Sequence, residues 1–109
     1  MVEWYAYILN NNDFPIENVI VATKGYGIIN NEEKKTSVLR HLIELVNAKS
    51  CALIEPIQPE LFQLSNEFWV SYYKGKQIFD KKFVFVAGSV SEMNFVDVPL
   101  VSMRGVLHS

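Results

Sequence analysis

The chain has 109 residues, of which 50% are hydrophobic, 13% aromatic and 20% charged. This composition supports a folded core, excludes an intrinsically disordered chain and suits a single domain over residues 1–109. No run reaches the roughly 18 uncharged apolar residues that a membrane span needs. The net charge of −2 and the presence of only two arginines, Arg40 and Arg104, argue against nucleic acid as a partner.

The first two predicted strands are rich in aromatic and β-branched residues. Glu3–Leu9 carries apolar side chains on both faces, which is typical of a strand inside a packed assembly. A cluster of turn-forming residues at 10–15 separates it from a second strand, Ile16–Thr23. Beyond that strand, the glycines in Lys24–Gly27 predict a flexible break, and Asn30–Lys35 predicts an exposed, charged loop.

The segment at 36–46 has two interpretations. Apolar residues from Val38 to Val46 recur at i, i+3, i+4 and i+7, which favours an amphipathic helix. Read instead as a strand, the same segment places alternate residues from Leu39 to Leu45 on one face. The local pattern therefore predicts one α-helix at about 32–47 on an antiparallel sheet, an α+β fold, as the alternative to an all-β fold.

The second half of the chain reads as short strands joined by turns. Seven or so short strands with turn signals every 8–12 residues, in about 100 residues, predict an antiparallel β-sandwich. A single helical turn at 59–63 is predicted from its leading proline. The predicted strands here are Cys51–Ile57, a hairpin of Phe68–Tyr73 and Gln77–Ala87 connected through Lys74-Gly75-Lys76, Val96–Leu100, and a final strand at 101–108.

Two segments resemble bacterial immunoglobulin-like modules of the CARDB and FxLYD type. In Tyr7–Val21, a strand ends in Asn10, crosses a short polar corner and re-enters as Asn-Val-Ile-Val. In Leu45–Ile54, an apolar strand meets a small turn and a fresh strand, with Asn47-Ala48-Lys49 where such modules commonly carry Pro-Gly. The resemblance implies an immunoglobulin-like β-sandwich of about seven strands, in which 36–46 is mostly strand. It also implies a binding or structural role and offers no catalytic residues.

The cysteine content bears on the cellular compartment. Cys51 is the single cysteine, so the chain forms no internal disulfide. Near the N-terminus, Glu3 and the polar run at 10–13 interrupt the apolar residues, and the basic-then-apolar pattern of a signal peptide is not seen. We therefore expect a cytoplasmic protein. The alternative is an exported domain whose targeting segment is missing from this sequence.

A search for reactive groups yields no catalytic, cofactor-binding or metal-binding constellation. The Gly25–Gly27 loop lacks the spacing of a phosphate-binding or dinucleotide-binding motif. His41 and Cys51 have neither the spacing of a zinc site nor the setting of a reactive thiolate, because Cys51 lies in an apolar run. Glu55 lies within an apolar strand and is expected to be paired, outward-facing or ligand-binding. A pocket near His41, Glu55 and the Gly25–Gly27 loop, in a small-ligand-binding protein or minor enzyme, is the alternative function.

The aromatic residues favour a different function. A two-layer sandwich of this size buries only the inner faces of its sheets, so the two apolar faces of the first strand cannot both lie inward. The same argument applies to the predicted strand Phe68–Tyr73, which also has apolar residues on both faces. An exposed apolar patch usually marks an interaction site. The sequence therefore predicts a non-enzymatic interaction or structural module that binds a protein partner or itself, with a homodimer expected. The contact residues predicted are Trp4, Tyr5, Tyr7, Trp69 and Tyr73.

Overall fold

The structure, a computed structural model, describes residues 3–101 and 103–108. Within these residues it contains nine strands, two short 3₁₀ turns (Pro59–Gln63 and Glu92–Asn94) and no α-helix. The strands are β1 (Trp4–Asn10), β2 (Ile16–Ile29), β3 (Glu32–Lys35), β4 (Leu39–Val46), β5 (Ser50–Ile57), β6 (Ser65–Lys74), β7 (Gln77–Phe85), β8 (Val96–Val98) and β9 (Met103–Gly105).

The strands form two main antiparallel sheets and a small hairpin. β1 and β5 make a two-stranded sheet, and β8 and β9 pair with each other. The larger sheet is built around β2, which pairs with β3 and β4 on one side and with β6 on the other, and β7 lies beyond β6. The predicted all-β antiparallel sandwich is confirmed. Its strands are divided as two against five, less evenly than in a constant-type immunoglobulin domain, where they are divided four against three.

The core lies between the inner faces of the two sheets. Val19 and Val21 of β2 are fully buried, and Phe68 and Val70 of β6 beside them are nearly so. Partly buried side chains of β1 and β5 pack against this cluster from the opposite sheet. Burial of these branched and aromatic side chains is the main source of stability, at about 1.5–3 kcal/mol for each fully buried one.

The helix predicted at about 32–47 is wrong. This part of the chain forms β3 and β4, and β4 pairs with β2 from Val46 to Leu39. Val46 and Ile43 point into the core, whereas Leu42 and Leu45 lie on the outside and are 65% and 48% exposed. Apolar residues on both faces of a strand reproduce helical spacing. Pairing with a distant strand decided the outcome here, as it often overrides local propensity.

The flexible break and the charged loop predicted after residue 23 are also wrong. β2 continues through Lys24–Gly27 to Ile29, and a two-residue turn at Asn30-Asn31 leads into β3. Both asparagines have positive φ, 52° and 62°, which suits a tight hairpin turn and which asparagine tolerates. A Cβ at Gly25 would lie 3.3 Å from the Thr36 side chain, so this glycine permits close packing within the strand.

Several elements of the second half agree with the sequence prediction. The turn at 59–63 is a single 3₁₀ turn, and β6 and β7 form the predicted hairpin, with Gly75 at φ +60° in its two-residue turn. The last two strands are shorter than predicted, covering Val96–Val98 and Met103–Gly105. Ser102, which belongs to the predicted final strand, lies outside the described residues.

A buried asparagine holds the corner where the chain crosses between the sheets after β1. Asn10 is 2% exposed, and its Nδ2 donates to the carbonyl oxygens of Phe14, Val46 and Asn47 at 2.9–3.1 Å. Its Oδ1 accepts from the backbone and side-chain nitrogens of Asn12. One side chain thus satisfies polar groups of two separate corners, 10–15 and 46–47.

Candidate functional site

The five predicted contact residues lie in three separate places. Tyr5 and Tyr7 are on the outer face of the two-stranded sheet, Trp69 and Tyr73 are on the outer face of the five-stranded sheet, and Trp4 points the other way on β1. The two apolar faces of β1 do not both lie inward, and neither do those of β6, as predicted. The structure does not bring all five residues into one surface.

Trp4 is partly buried at the end of the sandwich. Its ring meets Phe62 and Phe95 edge-on, with centroids 5.0 and 5.5 Å away. Edge-to-face contacts of this kind are favourable arrangements of aromatic side chains. Trp4 therefore joins the 3₁₀ turn at 59–63 and the C-terminal segment to the end of β1.

The outer face of the two-stranded sheet is small and carries two exposed tyrosines. Tyr5 and Tyr7 are 44% and 37% exposed, and their register partners on β5 are Pro56 and Leu53. The Tyr5 hydroxyl donates to Glu3 Oε2 at 2.6 Å, and this hydrogen bond, together with the negative charge of Glu3, raises the pKa of Tyr5. Because only two strands support it, this surface is narrow.

The side of the five-stranded sheet that faces away from the core carries a band of exposed apolar side chains, and we refer to this whole surface as the outer face. Ile20 of β2 lies beside Leu42 of β4, and Trp69 of β6 lies beside Ala22 of β2. Trp69 is 48% exposed, Ile20 is 46% exposed, and Ile78 at the edge is 59% exposed. Sequence reasoning missed Ile20, Leu42 and Ile78. For Leu42 there was a signal in the sequence, because the strand at 39–46 has apolar residues on both of its faces.

Charged residues around the apolar band are partly neutralised within the chain. Glu67 is almost buried and lies 3.6 Å from Lys24 Nζ and 3.9 Å from Lys82 Nζ. The Ser71 hydroxyl donates to Asp80 Oδ1 toward the β7 edge of the same face. The outer face therefore combines exposed apolar groups with charges of both signs.

The predicted pocket residues His41 and Glu55 are close together across the two sheets. A β-bulge in β5 places Glu55 opposite Ala6 and Leu53 opposite Tyr7, so the residue between them, Ile54, also faces inward. Bulges re-aim side chains in this way. Glu55 Oε2 lies 3.6 Å from His41 Nε2, and that nitrogen is shielded from solvent and makes no hydrogen bond in the described structure.

A cavity of about 300 Å³ opens beside this pair. Its lining includes Glu55, Gly25, Thr23 and Thr36, whereas His41 and Gly27 are not part of the lining. Of the residues of the predicted pocket, Glu55 and Gly25 therefore line the same cavity. The Gly25 amide donates to the Thr36 hydroxyl at 2.8 Å, so at this part of the cavity wall the two groups are hydrogen-bonded to each other.

Other candidate chemistry is not assembled by the fold. In residues 3–101 and 103–108, no three His, Cys, Asp or Glu side chains converge as a metal site, and none of the helical segments described is long and apolar enough to cross a bilayer. Cys51 is partly buried and is not disulfide-bonded. No family model, curated protein or solved structure matches the chain. The resemblance to CARDB and FxLYD modules stays a prediction.

Proposed function

We propose that the protein is a non-enzymatic interaction module that associates with a second copy of itself through the outer face. The observation that carries the proposal is the exposed apolar band around Trp69, Ile20 and Leu42. Large exposed apolar patches of this kind usually mark interaction surfaces, and tryptophan is enriched among the residues that dominate binding energy. The proposed role agrees with the binding function that the CARDB and FxLYD resemblance implies.

The size of the outer face supports a reversible contact. Four strands, β4, β2, β6 and β7, lie side by side at about 4.8 Å spacing, and their shared rows extend over about eight residues of about 3.3 Å each. The flat area is therefore about 500 Å², and projecting side chains increase the accessible area beyond that value. Stable interfaces bury about 800 Å² per partner, and transient ones less. The outer face falls in the range of a weak to moderate dimer.

The same estimate of flat area argues against self-association through the outer side of the two-stranded sheet, which carries Tyr5 and Tyr7. The two-stranded sheet is about 10 Å wide, and its flat area is about 230 Å² over the seven residues of β1. That area is far below the size of a specific interface. Tyr5 and Tyr7 are therefore expected not to contribute to self-association, and they serve as controls for Trp69.

Replacement of Trp69 with alanine is the direct test of this proposal. We expect the wild-type protein to dimerise reversibly between micromolar and millimolar concentrations in sedimentation equilibrium. Removal of a central tryptophan at an interface typically costs about 2 kcal/mol or more, which corresponds to a roughly 30-fold larger Kd. Tyr7→Ala, the matched control on the opposite sheet, is expected to leave the Kd unchanged. A wild-type protein that stays monomeric, or equal Kd values for Trp69→Ala and wild type, would contradict the proposal.

A second candidate function is the binding of a small molecule in the cavity beside Glu55. The observation that favours it is the position of Glu55, a largely buried carboxylate that faces His41 and lines a cavity together with Gly25. A carboxylate with one ionisable partner favours a ligand that carries a positive charge. The cavity would then take a small amine.

A thermal-shift screen with metals, nucleotides and small amines tests this candidate. A ligand at a hundredfold excess over its Kd stabilises the folded state by about 2.7 kcal/mol, which raises the Tm by several degrees. We expect Glu55→Gln to abolish the shift, since it keeps the shape of the side chain and removes its charge. Glu60→Gln, a change on the exposed 3₁₀ turn, is the control. The absence of any shift across the panel would count against a ligand site.

A further inference from the structure

Two neighbouring rows of residues form the centre of the outer face. Residues that are register partners in an antiparallel sheet share a face, so each row can be followed from β2 through β6 to β7. Charges and side-chain sizes differ between the rows. The first row contains Ala22, Trp69 and Lys82, and the second contains Ile20, Ser71 and Asp80.

We propose that the second copy is related to the first by a two-fold axis that lies in the plane of the outer face, across the strands and between these two rows. This inference rests on the self-association proposed above and specifies its geometry. The rotation exchanges the rows and keeps each strand opposite its own counterpart. Trp69 of one copy then faces Ser71 of the other, Ala22 faces Ile20, and both contacts occur twice, as a two-fold interface requires.

The exchange places large side chains opposite small ones. Trp69 is 48% exposed and projects over the small Ser71, and the exposed Ile20 projects over Ala22. Alternation of large and small residues allows two sheet faces to interdigitate at the usual separation of about 10 Å. A two-fold axis placed directly on either row would bring Trp69 against its own copy or Asp80 against its own copy.

The same exchange pairs opposite charges. Lys82 of one copy faces Asp80 of the other at the β7 edge, and one row further out Lys24 faces Glu17 on β2. Packed sheets cross at about 30°, which displaces the edge strands by a few ångströms, a distance that the long lysine side chain can span. Complementary charges at the rim of an interface select the orientation of the partner.

The other in-plane axis is disfavoured by charge. An axis parallel to the strands and between β2 and β6 would exchange β4 with β7. Arg40, the β4 member of the first row, would then face Lys82, and Leu42 would face Asp80. The first contact would bring two basic side chains together, which is unfavourable at an interface. The proposed axis also sets a charged residue against an apolar one, Arg40 against Leu42 on β4, so the like-charge contact is what separates the two arrangements.

Charge reversal at Lys82 and Asp80 separates these arrangements. Both side chains are exposed, but Lys82→Glu removes one of the two cationic partners of Glu67, which keeps Lys24, and Asp80→Lys removes the acceptor of the Ser71 hydroxyl. Circular dichroism and Tm therefore have to show that each variant folds as the wild type does before its Kd is compared. In the proposed dimer, Lys82→Glu brings two acidic residues together at each of two places, and Asp80→Lys brings two basic residues together. We expect each variant alone to dimerise with a Kd about tenfold larger than wild type or more.

An equimolar mixture of the two variants is expected to regain the wild-type Kd. In the heterodimer, the glutamate introduced at position 82 of one copy faces the lysine introduced at position 80 of the other. At the second place, the unchanged Lys82 and Asp80 face each other as in the wild-type dimer. Opposite charges therefore meet at both places, and the repulsion present in each separate variant is removed.

The outcomes distinguish this geometry from the proposed function itself. A mixture that associates no more tightly than the separate variants would overturn the two-fold arrangement, while the Trp69→Ala result would still stand. Stronger dimerisation of Lys82→Glu alone would also overturn it and would indicate the strand-parallel axis. A monomeric wild-type protein would overturn the proposed self-association and this inference together. Lys24→Glu mixed with Glu17→Lys repeats the test at a second pair of positions.

Discussion

Replacement of Asn10 with alanine is expected to lower the free energy of unfolding by about 3 kcal/mol or more, because buried polar groups that lose a partner cost about 1–3 kcal/mol each. The side chain is 2% exposed and donates to three carbonyl oxygens that belong to two different corners of the fold. Alanine removes the donor and the acceptor together, so several backbone groups are left without partners. Urea denaturation, analysed by linear extrapolation, measures the change.

Two further variants define the cause of this loss. Asn10→Asp keeps the acceptor oxygen, loses the amide donor and places a negative charge near three carbonyl oxygens, so we expect it to be at least as destabilising. Asn11→Ala, at an exposed neighbouring position, is expected to change the stability by no more than about 0.5 kcal/mol. Equal stability of Asn10→Ala and wild type would show that the corner is held by other contacts.

Phe68→Ala is the second change for which a large loss of stability is expected, at about 3–5 kcal/mol. Phe68 is 8% exposed within the core cluster, and its ring meets Phe85 edge-on at 5.8 Å. Truncation removes the buried ring and leaves a cavity between the two sheets, where neighbouring side chains relax only partly. Denaturation midpoints and the free energy of unfolding, measured at a concentration where the protein is monomeric, report the loss.

The adjacent residue is the matched control. Trp69 follows Phe68 on β6 and points to the opposite face, so Trp69→Ala is expected to cost less than about 1 kcal/mol in the monomer. The two variants therefore separate folding from association: one lowers stability, and the other raises the Kd of the dimer. A loss of monomer stability for Trp69→Ala as large as that for Phe68→Ala would contradict the assignment of Trp69 to a contact surface.

Elements that depend on nearby residues could be predicted from the amino-acid sequence. The alternation of side chains along β1, the glycine in the turn after β6 and the proline that begins the 3₁₀ turn at 59–63 act over a few residues, and the structure has each of them. The excess of apolar strand faces was also visible, because it follows from counting apolar positions against the inner area of two sheets. That count led to the prediction of exposed aromatics on β1 and β6.

The choice of which apolar face is covered, and of which strands pair, depended on contacts between distant parts of the chain. The segment at 36–46 fits both a helix and a strand, and the backbone hydrogen bonds of β2, about 20 residues away in the chain, select the strand. The bulge that turns Glu55 toward His41, and the packing of Trp4 rather than Tyr5 against the chain, likewise depend on distant partners. Local patterns specify how side chains alternate, whereas long-range pairing and burial decide which side of that alternation is in contact with water.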